Sequence, residues 1–146
     1  MAPKELSSAD WEALVFAPMW VYTAVAGADG PPETSHFRRL SEELDAANAR
    51  FGGSGVAGTA VETLHDNIDA MWAAYQASGI DPRRGLKRAR GVLKKVPGPE
   101  REAFVEWLMG LAVRMSEARH TAGAAIVTER ERRAIRDVAS WLGVKS

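Results

Sequence analysis

Apolar residues recur every three or four positions along almost the whole chain, and no stretch alternates apolar with polar long enough for a half-buried strand. The pattern therefore predicts an all-α fold of about six helices. The first run, from Ser8 to about Ala26 with Ser7 or Ser8 as N-cap, places Trp11, Leu14, Val15, Pro18, Val21, Tyr22 and Val25 on one stripe, and Pro18 predicts a kink. It halts at Val25-Ala26-Gly27-Ala28-Asp29-Gly30-Pro31-Pro32-Glu33, where the glycines suit a turn, Asp29 can accept from free amides and the prolines suit a first helical turn. A second helix carries Phe37, Leu40, Leu44 and Ala47 on one face and ends before Gly52 and Gly53. The third, with Val61, Leu64, Ile68, Met71, Trp72 and Tyr75 inward, runs to Gly79. Asp81-Pro82 then reads as N-cap and N1 of a short basic helix packing Leu86, Ala89 and Leu93 inward. Pro97-Gly98-Pro99 separates this from a fifth helix with Phe104, Val105, Leu108, Leu111, Ala112 and Met115 on its apolar face. In the sixth, Thr128-Glu129-Arg130-Glu131 fits a capping box, Ile135, Val138, Ala139 and Leu142 continue the stripe, and Gly143 suits the C′ position.

A chain of 146 residues is a common size for one domain and can bury roughly 70% of its unfolded surface. We expect residues 1–146 to form one domain, with residues 1–7 as a flexible tail. A weak internal echo accompanies this: His36-Phe37-Arg38-Arg39-Leu40 can be laid over Glu131-Arg132-Arg133-Ala134-Ile135, so that Leu44 matches Ala139 and both fall on core positions. The absence of cysteine removes disulfides, thiolate nucleophiles and Cys-type zinc sites. The longest uncharged run, Ala13 to Ala28, is shorter than the roughly 20 residues of a spanning helix, and the amino-terminal residues lack a secretory pattern, so a cytoplasmic protein without membrane insertion is expected. Formal net charge is zero, and only the uneven placement of charge is informative.

Two places carry candidate chemistry. Asp29, Glu33 and His36 gather a loop carboxylate and an i, i+3 pair at a helix start, a donor set that suits a divalent metal ion such as zinc, manganese, iron or nickel. The same residues equally suit a helix cap, a dipole partner and a histidine at the core edge. The basic segment supplies Arg83, Arg84, Lys87, Arg88, Arg90, Lys94 and Lys95 with no acid after Asp81. That is either a solvated face or a docking face for an anionic partner: a protein, a second copy of the chain, or nucleic acid, the last lacking interleaved aromatics. All three histidines follow a glutamate by three, in Glu33-x-x-His36, Glu62-x-x-His65 and Glu117-x-x-His120, the spacing of di-iron bundles; helix phase turns the last two pairs away from the apolar stripes. On the third helix Glu62, His65 and Asp69 fall on one flank, an acidic surface that the basic helix of another molecule could meet. Gly53-Ser54-Gly55-Val56-Ala57-Gly58 matches G-x-G-x-x-G but lacks the preceding strand, and reads as a connector. With no nucleophile elbow and no reactive thiol, the reading favours a non-enzymatic protein, a di-metal enzyme being the alternative. The five tryptophans, Trp11, Trp20, Trp72, Trp107 and Trp141, read as core anchors.

Ser-x-x-Asp-Trp-Glu-Ala-Leu at Ser7 to Leu14, the Ala28-Asp29-Gly30 turn, Glu102-Ala103-Phe104, and Thr128-x-x-Glu131 leading to Ala139-x-x-Leu142-Gly143 stand in an order and spacing that resembles the TerB-like helical domains, named after a bacterial tellurite-resistance protein. The resemblance covers most of the chain. It implies a compact helical fold of two related halves, a stress-linked accessory or interaction role, and cation binding at acidic turns. Asp29 and Glu131 match family acidic positions, whereas His36 and Ala124 stand where the pattern has acids.

Overall fold

The computed structural model describes residues 6–28, 34–117 and 128–144. Among them are seven helices and no strand: α1 Ser8–Ala26, α2 Thr34–Phe51, α3 Gly55–Asp66, α4 Ile68–Ser78, α5 Pro82–Leu93, α6 Gly98–Glu117 and α7 Glu129–Leu142. None is long and apolar enough to cross a membrane.

The centre is α1. Every residue from Ala13 to Tyr22 is buried, as are Val25 and Ala26, so this helix has no outward face over its middle turns. A helix apolar all round is stable in water only when other helices enclose it. All six others pack on it: α5 and α7, which also pack on each other, α6, then α2, α3 and α4. The single inward stripe predicted from periodicity was too narrow. Trp11, assigned to it, is only partly buried, while Phe16, Ala17, Met19 and Trp20 outside it are in the core.

The entry to α1 takes the first of the two expected caps. Ser7 is the N-cap, accepting from the Asp10 amide at 3.1 Å, while Asp10 Oδ2 accepts from the Ser7 amide at 3.1 Å. Leu6, before the cap, is buried in the position of a hydrophobic staple. Of the predicted tail, Leu6 and Ser7 thus belong to the fold, and residues 1–5 lie outside the described residues. Asp10 also receives Lys95 Nζ at 3.0 Å. The hydrogen bond from the Ser7 amide, then Lys95, hold its carboxyl below the usual carboxylate range.

α1 and α5 approach closely at Trp20 and Gly85. A Cβ added at Gly85 would lie 2.1 Å from the Trp20 ring, so the indole rests directly on the α5 backbone. Its Nε1 donates to the Ile80 carbonyl at 3.2 Å, fixing the lead-in to α5, where Asp81 Oδ1 caps by accepting from the Arg84 amide at 2.9 Å. Tyr75 anchors α4: its hydroxyl donates to the Met19 carbonyl at 3.2 Å and lies 2.5 Å from Thr23 Oγ1, and its ring meets Phe16 and Trp20 edge-on.

The predicted third helix is two. Asn67, at φ −131° and ψ 34°, leaves the helical region, and its Nδ2 donates to the Thr63 carbonyl at 3.0 Å, a side-chain bond that competes with helix continuation. Phe37, assigned to the buried face of α2, is 39% exposed, and His36 takes the buried place beside it. Phe37 stacks edge-on with Tyr22 and Trp72 at the margin of the core. Of the tryptophans, Trp20 and Trp107 are buried; Trp11, Trp72 and Trp141 are partly buried. The ends of α7 match expectation: Thr128 and Glu131 form the capping box, and Gly143, at φ +79°, turns the chain so that the Val144 amide reaches the Ala139 carbonyl at 2.8 Å.

Two glycines of α5 give opposite predictions. Gly85→Ala forces a methyl into the indole and should destabilise by about 1–3 kcal/mol or more. Gly91→Ala, which meets nothing within 4 Å, should stabilise by about 0.5–1 kcal/mol by restoring helix propensity. Chemical denaturation of the two variants beside the parent chain checks both signs.

Candidate functional site

The basic face of α5 is the strongest candidate. The inward side of this helix, Gly85, Leu86, Ala89, Val92 and Leu93, is buried against α1 and α7, which leaves Arg83, Arg84, Lys87, Arg88, Arg90, Lys94 and Lys95 exposed. Among the described residues only Lys95 of these seven has an ion-pair partner, Asp10. Arg90 lies over the C-terminal turn of α7, its guanidinium against Gly143. Beside α5, α7 adds exposed Arg130, Arg132, Arg133 and Arg136, of which Arg136 pairs with Glu129 at 3.4 Å. Like charges at i, i+3 and i, i+4, such as Arg84 with Lys87 and Arg88, oppose helix formation by a few tenths of a kcal/mol each. The face therefore adds nothing to the stability of the isolated helix.

The predicted metal set is only partly placed. Asp29 and Glu33 lie outside the described residues, and His36 sits in the first turn of α2, fully buried. Glu131, laid over His36 in the internal echo, is likewise buried, and so are Leu44 and Ala139, each eight positions further along its helix. Among the described residues no three His, Asp or Glu side chains come together as a metal site.

His65 has found a different use from the one its spacing suggested. Its Nε2 lies 2.8 Å from Asp45 Oδ1 on α2 and its Nδ1 lies 3.0 Å from Asp66 Oδ1, so the ring clips α2 to α3 between two carboxylates. The hydrogen bond to Asp66, then that to Asp45, raises its pKa above the ordinary 6.5. Glu62, three residues before it, turns instead toward Gly53, while the break at Asn67 puts Asp69 on α4; the continuous acidic flank predicted for one long helix is divided. His120 lies outside the described residues.

The G-x-G-x-x-G segment is a packing device whose anion position is filled from within the chain. Gly55, at φ +68°, turns into α3, and Gly58 lets that helix lie on the Gly53 backbone, where a Cβ would stand 2.8 Å from the Gly53 carbonyl carbon. The Val56 amide at the start of α3 donates to Glu100 Oε1 of α6 at 2.8 Å. A carboxylate on another helix thus takes the place a phosphate occupies in nucleotide-binding loops. Sequence reading missed this bond and the Arg114–Glu43 pair of α6 with α2, in which Nε lies 2.5 Å from Oε1. The partners are 44 and 71 positions apart, beyond any local signal.

Comparison with protein-family models, with curated proteins and with solved structures gave no match.

Two predictions concern the polar contacts. Glu100→Ala removes the cap of α3 and should cost about 1 kcal/mol in denaturation. Since the folded pKa of His65 is raised, its contribution is complete below the ordinary 6.5 and is lost as pH climbs through the folded value. From about pH 6 to about pH 8 the parent should lose more thermal stability than His65→Gln, the difference staying within about 1 kcal/mol for so exposed a pair.

Proposed function

We propose that this chain is a cytoplasmic, non-enzymatic interaction module, TerB-like in kind, that docks an acidic protein surface through the outer face of α5. The observation that carries this reading is seven exposed cations on α5 and the two residues that follow it, six of them without an ion-pair partner among the described residues, on a helix seated by Gly85 against Trp20. A fixed array of one sign steers association and selects a complementary surface. Arg supplies planar donors matched to carboxylates, and the stems of Lys and Arg supply apolar contact. The exposed residues of α5 include no aromatic side chain, so the stacking platform of single-strand binders is missing from this face, which favours a protein partner over nucleic acid. Cation binding at the Asp29 turn is a separate expectation of the TerB resemblance.

The test titrates a labelled oligoglutamate peptide and a short DNA duplex against the parent chain and an R84Q/K87Q/R88Q/K94Q variant. The parent should bind the peptide with an affinity that falls as salt rises, and the variant should bind at least about tenfold more weakly, equivalent to about 1.4 kcal/mol. Tighter binding of the duplex than of the peptide would transfer the reading to nucleic acid. No binding of either ligand by the parent, or equal binding by the variant, would overturn it.

A further inference from the structure

The outer side of α6 is the natural complement of α5. Glu102, Glu106, Val113 and Glu117 are all exposed there and Met109 is partly so; their spacing sets them along one side of the helix. Val113, at 44%, is the most exposed large apolar side chain among the described residues. None of the three glutamates has an ion-pair partner among the described residues, whereas several acids of α2 and α3 do. Glu42 pairs with Arg39, Glu43 with Arg114, and Asp45 and Asp66 with His65. Most acids of α2 and α3 are thus used inside the chain, and Glu100 of α6 caps α3, whereas Glu102, Glu106 and Glu117 have no ion-pair partner among the described residues.

The two faces also match in length and place. At a rise of about 1.5 Å per residue, Arg84 to Lys95 spans about 16 Å and Glu102 to Glu117 about 22 Å. One part of each meets the C-terminal end of α7. Arg90 of α5 lies on Gly143 from one side, and on the other Gly143, Leu142 and Val144 form a groove of about 450 Å³ with Glu102, Glu106 and Met109 of α6. Arg101 stands at the rim of this groove as its one like charge toward α5. Although consecutive in the chain, α5 and α6 each pack on α1 and α7. Arg90 of α5 and Glu102 and Glu106 of α6 thus lie about the same C-terminal turn of α7.

We infer that this face pairs two copies of the chain about a twofold axis, α5 of each lying on α6 of the other, with the basic and acidic stripes in register around Val113 and Met109. The inference rests on the reading of α5 as a docking face and makes a second copy its occupant. A twofold contact is self-complementary by construction, and one molecule carrying both signs of charge on one face satisfies it twice. Net charge of zero removes the overall repulsion that would oppose self-association.

Sedimentation velocity across a concentration series tests this at ionic strengths of roughly 0.01 M and roughly 0.15 M, where the screening length falls from about 30 Å to about 8 Å. The parent should form dimers at low salt and dissociate at the higher. Two charge-reversed variants, K87E/R88E and E102K/E106K, should each stay monomeric, and an equimolar mixture should form a heterodimer in which both stripes match again. Circular dichroism of each variant confirms that helicity is retained. A monomeric parent at low salt, unimpaired dimers of either variant, or a mixture that stays monomeric would overturn the inference. Oligoglutamate binding by the same parent sample separates the two failures: a monomer that still binds the peptide through α5 loses only the second copy as partner, while one that binds nothing loses the docking face as well.

Discussion

A helix that is apolar on every side cannot meet water along its middle turns, and α1 imposes that requirement on the rest of the molecule. Its buried span from Ala13 to Tyr22 has to be enclosed, and six helices do so. Enclosure at helix-packing distance needs small residues where the largest side chains press outward. Gly85 answers Trp20 in this way, and the indole spans from the α5 backbone to the Ile80 carbonyl. Tyr75 plays the corresponding part for α4, its ring in the aromatic cluster and its hydroxyl on the α1 backbone and Thr23. Burial raises the pKa of the Tyr75 phenol, which keeps the hydroxyl a donor.

Beyond the first turns of α1, charge lies on the surrounding helices, where it is unevenly placed. On α2 and α3 much of it is paired: His65 joins the two helices through Asp45 and Asp66, and Arg114 of α6 reaches back to Glu43. On α5 it is not, and the repulsion is tolerated because the helix is held by its apolar side. This separation of tasks connects fold to binding. The buried face supplies rigidity, and the exposed face needs no partner inside the chain.

The local devices of the fold were legible in the sequence. Asp81-Pro82 at the start of α5, the capping box at Thr128, Gly143 at the end of α7 and the termination of α2 before Gly52 all stand where their chemistry predicted. Each is a contact between near neighbours, so a few residues contain the whole cause. The cations of α5, with Lys94 and Lys95 after it, were legible for the same reason, since a short amphipathic helix with one buried side leaves the rest outside. The readings that changed depend on what packs nearby. Asn67 breaks a run that is periodic on both sides of it, Phe37 yields its buried place to His36, and the stripe of α1 widens to a full circle once helices pack all around it.

By itself the sequence determined the helical class, most helix ends and the charge of α5, because periodicity and capping act over three or four residues, within the reach of a single turn. Only the tertiary structure decided that α1 is the central helix, that Glu100 fills the amide position at the head of α3, that His65 serves as a clip between two carboxylates, and that Glu102 and Glu106 of α6 lie at the same end of α7 as Arg90 of α5. Those outcomes join residues far apart in the chain. Which distant side chains meet depends on how the helices close around α1, and helical periodicity says which way a residue faces without saying what it faces.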